Sequence, residues 1–130
     1  MIWQQARNTL KYLLGISAAV LIPITALANT FSCQGPVNYL GLNSGGSVVV
    51  DIGNGRWTIC VNNTTWGGVT PETCQAYYAS LLSLRLSGED VRLYFDVNNS
   101  LNSGLTVGDC SNGNMGSWTN RPIYFFMPKP

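Results

Sequence analysis

The stretch Trp57–Tyr78, WTICVNNTTWGGVTPETCQAYY, carries a strand, a loop and a helix start, with a cysteine on either side of the loop. Just before it, Ser47–Ile52 (SVVVDI) is rich in β-branched residues, Gly53-Asn54-Gly55 supplies a reversal, and Arg56–Val61 (RWTICV) follows. Two strand-like runs across a glycine turn predict a β-hairpin, because glycine takes the positive φ that such turns demand. Alternation along the second strand places Trp57, Ile59 and Val61 on one face and Arg56, Thr58 and Cys60 on the other. After the loop Asn62–Val69, Thr70-Pro71-Glu72 reads as a helix start. Thr as N-cap, Pro at the first helical position and Glu in the first turn each satisfy or complement the unpaired amides there. Cys74, Tyr77, Tyr78, Leu81, Leu82 and Arg85 then recur at three- and four-residue spacing, which predicts an amphipathic helix ending near Gly88.

Further out, Val37–Leu42 (VNYLGL) is a short apolar segment that ends at the turn Asn43–Gly46. Val91–Val97 (VRLYFDV) alternates so that Val91, Leu93, Phe95 and Val97 share one face, the pattern of a half-buried strand. Asn98–Gly116 holds six Asn/Asp and four Gly, which predicts a long irregular connection tied down through Cys110. Pro122–Pro128 (PIYFFMP) reads as a closing strand, and its flanking prolines suit a sheet edge. About three strands, one helix and two strands make a mainly β domain with one α-helix.

The N-terminus sets the compartment. Arg7 and Lys11 precede an apolar run, Tyr12–Leu27, that ends in Ala26-Leu27-Ala28, the pattern of a cleaved secretory signal over residues 1–28. Pro23 interrupts that run, which is shorter than the roughly 20 residues a bilayer span needs. The expectation is a secreted or periplasmic single domain, 29–130, with no membrane span after processing. Removal of the head leaves five basic residues against six acidic ones, so net charge moves from +1 to −1. That leaves no basic surface to follow a phosphate backbone, and nucleic acid is not an expected partner.

A chain of about 102 residues buries only about two-thirds of its unfolded surface and gains from cross-links. Four cysteines (Cys33, Cys60, Cys74, Cys110) in an exported small domain predict two disulfides. The absence of histidine and of any C-x-x-C pair argues against zinc, and no cofactor is expected. Three pairings are open. The element order favours Cys60 with Cys74, closing the strand–helix loop, and by elimination Cys33 with Cys110.

Catalytic options are few. Without histidine there is no Ser-His-Asp or Cys-His arrangement, and oxidised cysteines are not nucleophiles. Asp51, Asp96 and Asp109 remain as an acid–base set for a glycosidic bond. Asp51 and Asp96 read instead as solvent-facing strand residues and Asp109 as a turn former, so a non-enzyme is expected. Binding has more to draw on. Trp66 and Trp118 sit in Gly/Asn/Ser/Thr-rich loops, and with Asn63 and Asn114 they are the ligand-binding candidates, an aromatic face beside amide groups. The alternative for each tryptophan is a lid folded onto the core, and Tyr77 and Tyr78 read as packing residues.

The sequence of a hairpin, a WTIC strand, Trp66-Gly67 in a loop, a helix with Cys74 in its first turn, and then Val91-Arg92-Leu93-Tyr94-Phe95 resembles the B subunits of AB-type bacterial toxins of the subtilase-cytotoxin kind. The likeness runs from about Tyr39 to Val97, and Cys110 stands alone where the toxin subunit has more cysteines. It implies a small OB-like Greek-key barrel of five strands with one helix. It also implies a homopentamer serving a catalytic A subunit, and recognition of a host cell-surface glycan or glycoprotein. No sugar-binding residues carry over. The competing expectation is a periplasmic or secreted inhibitor or adaptor that binds a protein partner.

Overall fold

The computed structural model describes residues 30–128, so the expected signal segment 1–28 lies outside the described residues. Helix α1 (Pro71–Ser87) begins and ends where its caps dictate. Thr70 is extended (φ −76, ψ 159) and its hydroxyl accepts from the Thr73 N–H at 3.3 Å, while Gly88 takes φ 74 and closes the last turn onto the Leu84 carbonyl. Cys74, Leu81 and Leu84 form the buried stripe, with Tyr77 and Tyr78 packed half-buried beside it. Leu84 thus takes the place expected of Leu82, which is 38% exposed, and Arg85 is exposed too. Arg85 reaches back to the Leu40 carbonyl instead of lying under the helix.

The strands are β1 (Thr30–Pro36), β2 (Tyr39–Leu42), β3 (Ser47–Asp51), β4 (Arg56–Val61), β5 (Asp90–Asp96), β6 (Thr119–Asn120) and β7 (Phe125–Pro128). They form a three-stranded sheet, β1-β5-β7, and a four-stranded sheet, β2-β3-β4-β6. The alternation in β5 holds, with Val91, Leu93 and Phe95 fully buried and Phe95 stacked on Phe31 of β1 at 5.1 Å. β7 is an edge strand, as its prolines suggest, but it starts at Phe125; Pro122 and Ile123 are buried in the passage before it.

The chain crosses between the sheets twice without losing its hydrogen bonds. From β1, Asn38 N–H donates to the Asp51 carbonyl at 2.8 Å and leads into β2. From β6, which runs parallel to β4, Arg121 N–H donates to Thr58 and Ile123 N–H to Ile59; Tyr124 N–H then donates to Tyr94 and opens β7. Among the described residues the ladders remain two sheets and do not close into a barrel.

A β-bulge in the hairpin corrects the expected faces of β4. Val48 pairs with Cys60 but Val49 with Thr58, so Ile59 is an extra residue opposite the bond between the two valines. Strict alternation would put Cys60 opposite Trp57. The added residue resets the count, and Trp57, Ile59 and Cys60 are all fully buried. Cys60 is thereby available to α1, and the Cys60–Cys74 disulfide joins sheet to helix. The second disulfide, Cys33–Cys110, joins β1 to a short helix, α2 (Asp109–Asn112).

The 98–116 connection is more built than its composition suggests. Asn102 is fully buried, and its amide donates to the carbonyls of Asp96 and Pro122, the latter at 2.9 Å. The indole N–H of buried Trp57, edge-on to Phe95, donates to the Gly116 carbonyl at 3.0 Å. Arg121 donates to the carbonyls of Met115 and Leu101. Among the described residues no helix is long and apolar enough to cross a membrane.

Candidate binding site

Register brings three residues into a row at one end of the four-stranded sheet. Tyr39 of β2 lies opposite Asp51 of β3, and Asp51 opposite Arg56 of β4. The fourth member comes from far along the chain: Trp118 N–H donates to the Arg56 carbonyl at 2.6 Å. The guanidinium carbon of Arg56 sits 4.4 Å from the centre of the Tyr39 ring and 4.8 Å from that of Trp118. The two rings themselves meet edge-on at 6.5 Å. The result is an aromatic platform with a cation in it, and its outer ring, Trp118, is 64% exposed.

The turn that carries Trp118 is clamped from several sides. Ser117 Oγ accepts from the Arg56 N–H, and Thr119 Oγ1 donates to the Met115 carbonyl at 2.7 Å. Gly116 must be glycine, since at φ 71 a Cβ would stand 2.7 Å from Thr119 Cγ2. Trp118 has φ 60 and is the only non-glycine residue of positive φ among the described residues. For a bulky side chain this conformation costs of order 1–3 kcal/mol and persists only where its surroundings enforce it.

The four ligand candidates are not brought together. Trp118 lies at the Arg56 end of β4, whereas Asn63 and Trp66 follow its Val61 end. Trp66 is half-buried and exchanges two backbone hydrogen bonds with Val69. The Asn63 amide donates to the Gly45 carbonyl at 3.2 Å, pinning one loop to another. Asn114 donates to Asp109 Oδ1 at 2.8 Å.

Asp109 closes a turn, its N–H donating to the Thr106 carbonyl at 3.0 Å, and it is also buried at the head of α2 as the hub of its loop. Hydrogen bonds from the Asn114 side chain, the Thr106 N–H and the Asn112 side chain hold its carboxyl down to about 2. Asp51 Oδ1 accepts from the Gly53 N–H and Asp96 Oδ1 from the Asn98 N–H, each on its own strand end. Both aspartates end their strands half-buried, and Asp96 lies on the face of β5 opposite buried Val91, Leu93 and Phe95.

Sequence reasoning missed Tyr39 and Arg56. Counting outward from Gly53-Asn54-Gly55 pairs Ile52 with Arg56, one residue away from the observed Asp51–Arg56 pair, and nothing local links Arg56 to a tryptophan that follows it by more than half the domain. Among the described residues no group of three His, Cys, Asp or Glu side chains gathers as a metal site. Comparison of the chain with protein-family models, with curated proteins and with solved structures yields no match.

Proposed function

We propose that this chain is a secreted or periplasmic, non-catalytic binding domain of the toxin B-subunit kind, and that it recognises a cell-surface glycan or glycoprotein through the Trp118 platform. One observation carries the reading: an exposed tryptophan is held in a strained backbone conformation by a turn fixed at several points. Folded chains keep such strain mainly where a side chain must be presented. An indole face offers stacking to the C–H face of a sugar ring, and the guanidinium of Arg56 sets a hydrogen-bond donor beside it. Two disulfides suit an oxidising compartment.

The strand order supports the OB-type part of the proposal. Taken through their hydrogen-bonded passages, β1 and β2 act as one bent strand and β6 and β7 as another. The chain then has five strands in a ring-like order, with α1 between the third and the fourth. A homopentamer serving a catalytic A subunit is the assembly that goes with this reading, and the native mass of the purified particle tests it.

The platform's composition also suits a protein partner, since Trp, Tyr and Arg are the residues enriched at interface hot spots. A glycan array probed with the native chain and with Trp118→Ala decides between the two. The expected result is binding to a defined set of glycans that falls at least about tenfold in the variant, as loss of a central aromatic anchor does. A blank array, together with specific retention of one envelope protein from the producing cell, would replace this reading with the inhibitor or adaptor.

A further inference from the structure

A concavity of about 300 Å³ opens between the Gly67-Gly68 turn and the β6–β7 passage, with Asp96, Pro122 and Tyr124 on its walls. That volume is at the lower end for small-ligand pockets and matches one ring-sized guest rather than a chain. We infer that this cleft is a separate subsite for a single neutral sugar ring, with the Asp96 carboxylate accepting from its hydroxyls and Tyr124 stacking on its apolar face. The inference shares its ligand class with the function proposed above but does not depend on Trp118.

The walls are fixed while their surfaces stay open. Tyr124 donates its N–H to the Tyr94 carbonyl at 3.2 Å and accepts the Tyr77 hydroxyl at 2.8 Å on its own carbonyl. Its ring meets Tyr94 edge-on at 6.4 Å, yet the residue is 47% exposed. On the facing wall, Asn99 acts as a strut: its amide donates to the Gly67 carbonyl at 3.2 Å and its Oδ1 accepts from Leu101. Gly67 packs so closely on Pro122 that a Cβ would collide with its ring, whereas Gly68, at φ 84, has nothing within 4 Å of a Cβ position. Bare backbone therefore faces the cleft there.

Asp96 supplies the polarity. Its Oδ1 accepts one hydrogen bond, from the Asn98 N–H at 2.9 Å, and a carboxylate has about four acceptor positions. The basic residue on the adjoining passage, Arg121, has its guanidinium engaged by the carbonyls of Met115 and Leu101. A half-buried carboxylate beside an aromatic face favours a guest that donates hydroxyls and carries no negative charge. Trp118 is bonded to Arg56 at one end of β4, whereas Ile123 is bonded to Ile59 farther along that strand and Tyr124 to Tyr94 of the other sheet, so the two sites are distinct.

The test is amide chemical-shift mapping of the full chain with the methyl glycosides of glucose, galactose and mannose at millimolar concentration. The expected result is perturbation of Gly67, Gly68 and Tyr124 by at least one of them. Asp96→Asn, which keeps an acceptor for the Asn98 N–H, should weaken that binding at least about tenfold, as loss of a charge-assisted hydrogen bond does. Tyr124→Ala should abolish it with the rest of the spectrum unchanged, and Trp118→Ala should leave it intact. Perturbations confined to Ser117 and Trp118 would overturn the cleft and leave the proposed function standing. No perturbation by any glycoside, or perturbation by an ammonium probe such as lysine methyl ester alone, would overturn the cleft as well.

Discussion

Arg56 and Trp118 are joined twice: the Trp118 N–H is bonded to the Arg56 carbonyl at 2.6 Å, and the Arg56 guanidinium lies 4.8 Å from the indole centre. Backbone and side chain thus hold the same exposed ring, and the strain at Trp118 can be separated from its surface chemistry. Trp118→Gly, free to take φ 60, should be about 1 kcal/mol more stable than Trp118→Ala, which keeps the strain. Urea midpoints of the two variants check this, and equal midpoints would mean that the turn is not strained.

The two disulfides should differ in what they contribute. Their sequence separations are 14 for Cys60–Cys74 and 77 for Cys33–Cys110. On the chain-entropy model the first stabilises by about 3 kcal/mol and the second by about 4.5. Paired Cys→Ala variants compared in urea should therefore rank with the Cys33/Cys110 pair the less stable. The reverse order would place the greater contribution in the packing of α1 on β4.

Asp109 sets a pH dependence. Its carboxyl is lowered to about 2 by Asn114, Thr106 and Asn112, so its contribution is fully present above the ordinary value of 3.8 and is lost as pH falls toward 2. Asp109→Asn should flatten the decline of thermal midpoint between about pH 4 and pH 2 relative to the native chain. An unchanged profile would show that other carboxylates dominate acid unfolding.

Gly35 marks where β1 passes over the end of β3. A Cβ there would run into the Ile52 carbonyl oxygen, a backbone atom that cannot rotate away. Gly35→Ala should cost about 1–3 kcal/mol, as overpacking does, despite adding only a methyl group. Gly88→Ala, with open space around it but φ 74, should cost only the left-handed penalty of about 1 kcal/mol.

Much of the fold was legible because its signals are local. Thr70-Pro71 and Gly88 mark the ends of α1 by satisfying adjacent backbone groups, and the alternation Val91-Leu93-Phe95 reports the buried face of β5. Where one residue changes the count, the pattern misleads: the bulge at Ile59 moved Cys60 to the core, and no property of Ile59 announces it. The candidate site was legible only in Trp118. Its partners Tyr39 and Arg56, the buried Asn102 that ties the 98–116 connection, and the Asp96–Tyr124 cleft all arise from strand order, which pairs segments distant in sequence.

The Cys33–Cys110 bond has a consequence for the chain's survival among proteases. Any single cleavage between residues 34 and 109 leaves two fragments still joined through sulfur, because one cysteine remains on each. That interval contains α1, the hairpin, the exposed loop tips at 43–45 and 63–65, and most of the glycine-rich connection. A nicked molecule would keep its mass on a non-reducing gel and part into two pieces only when a reductant is added.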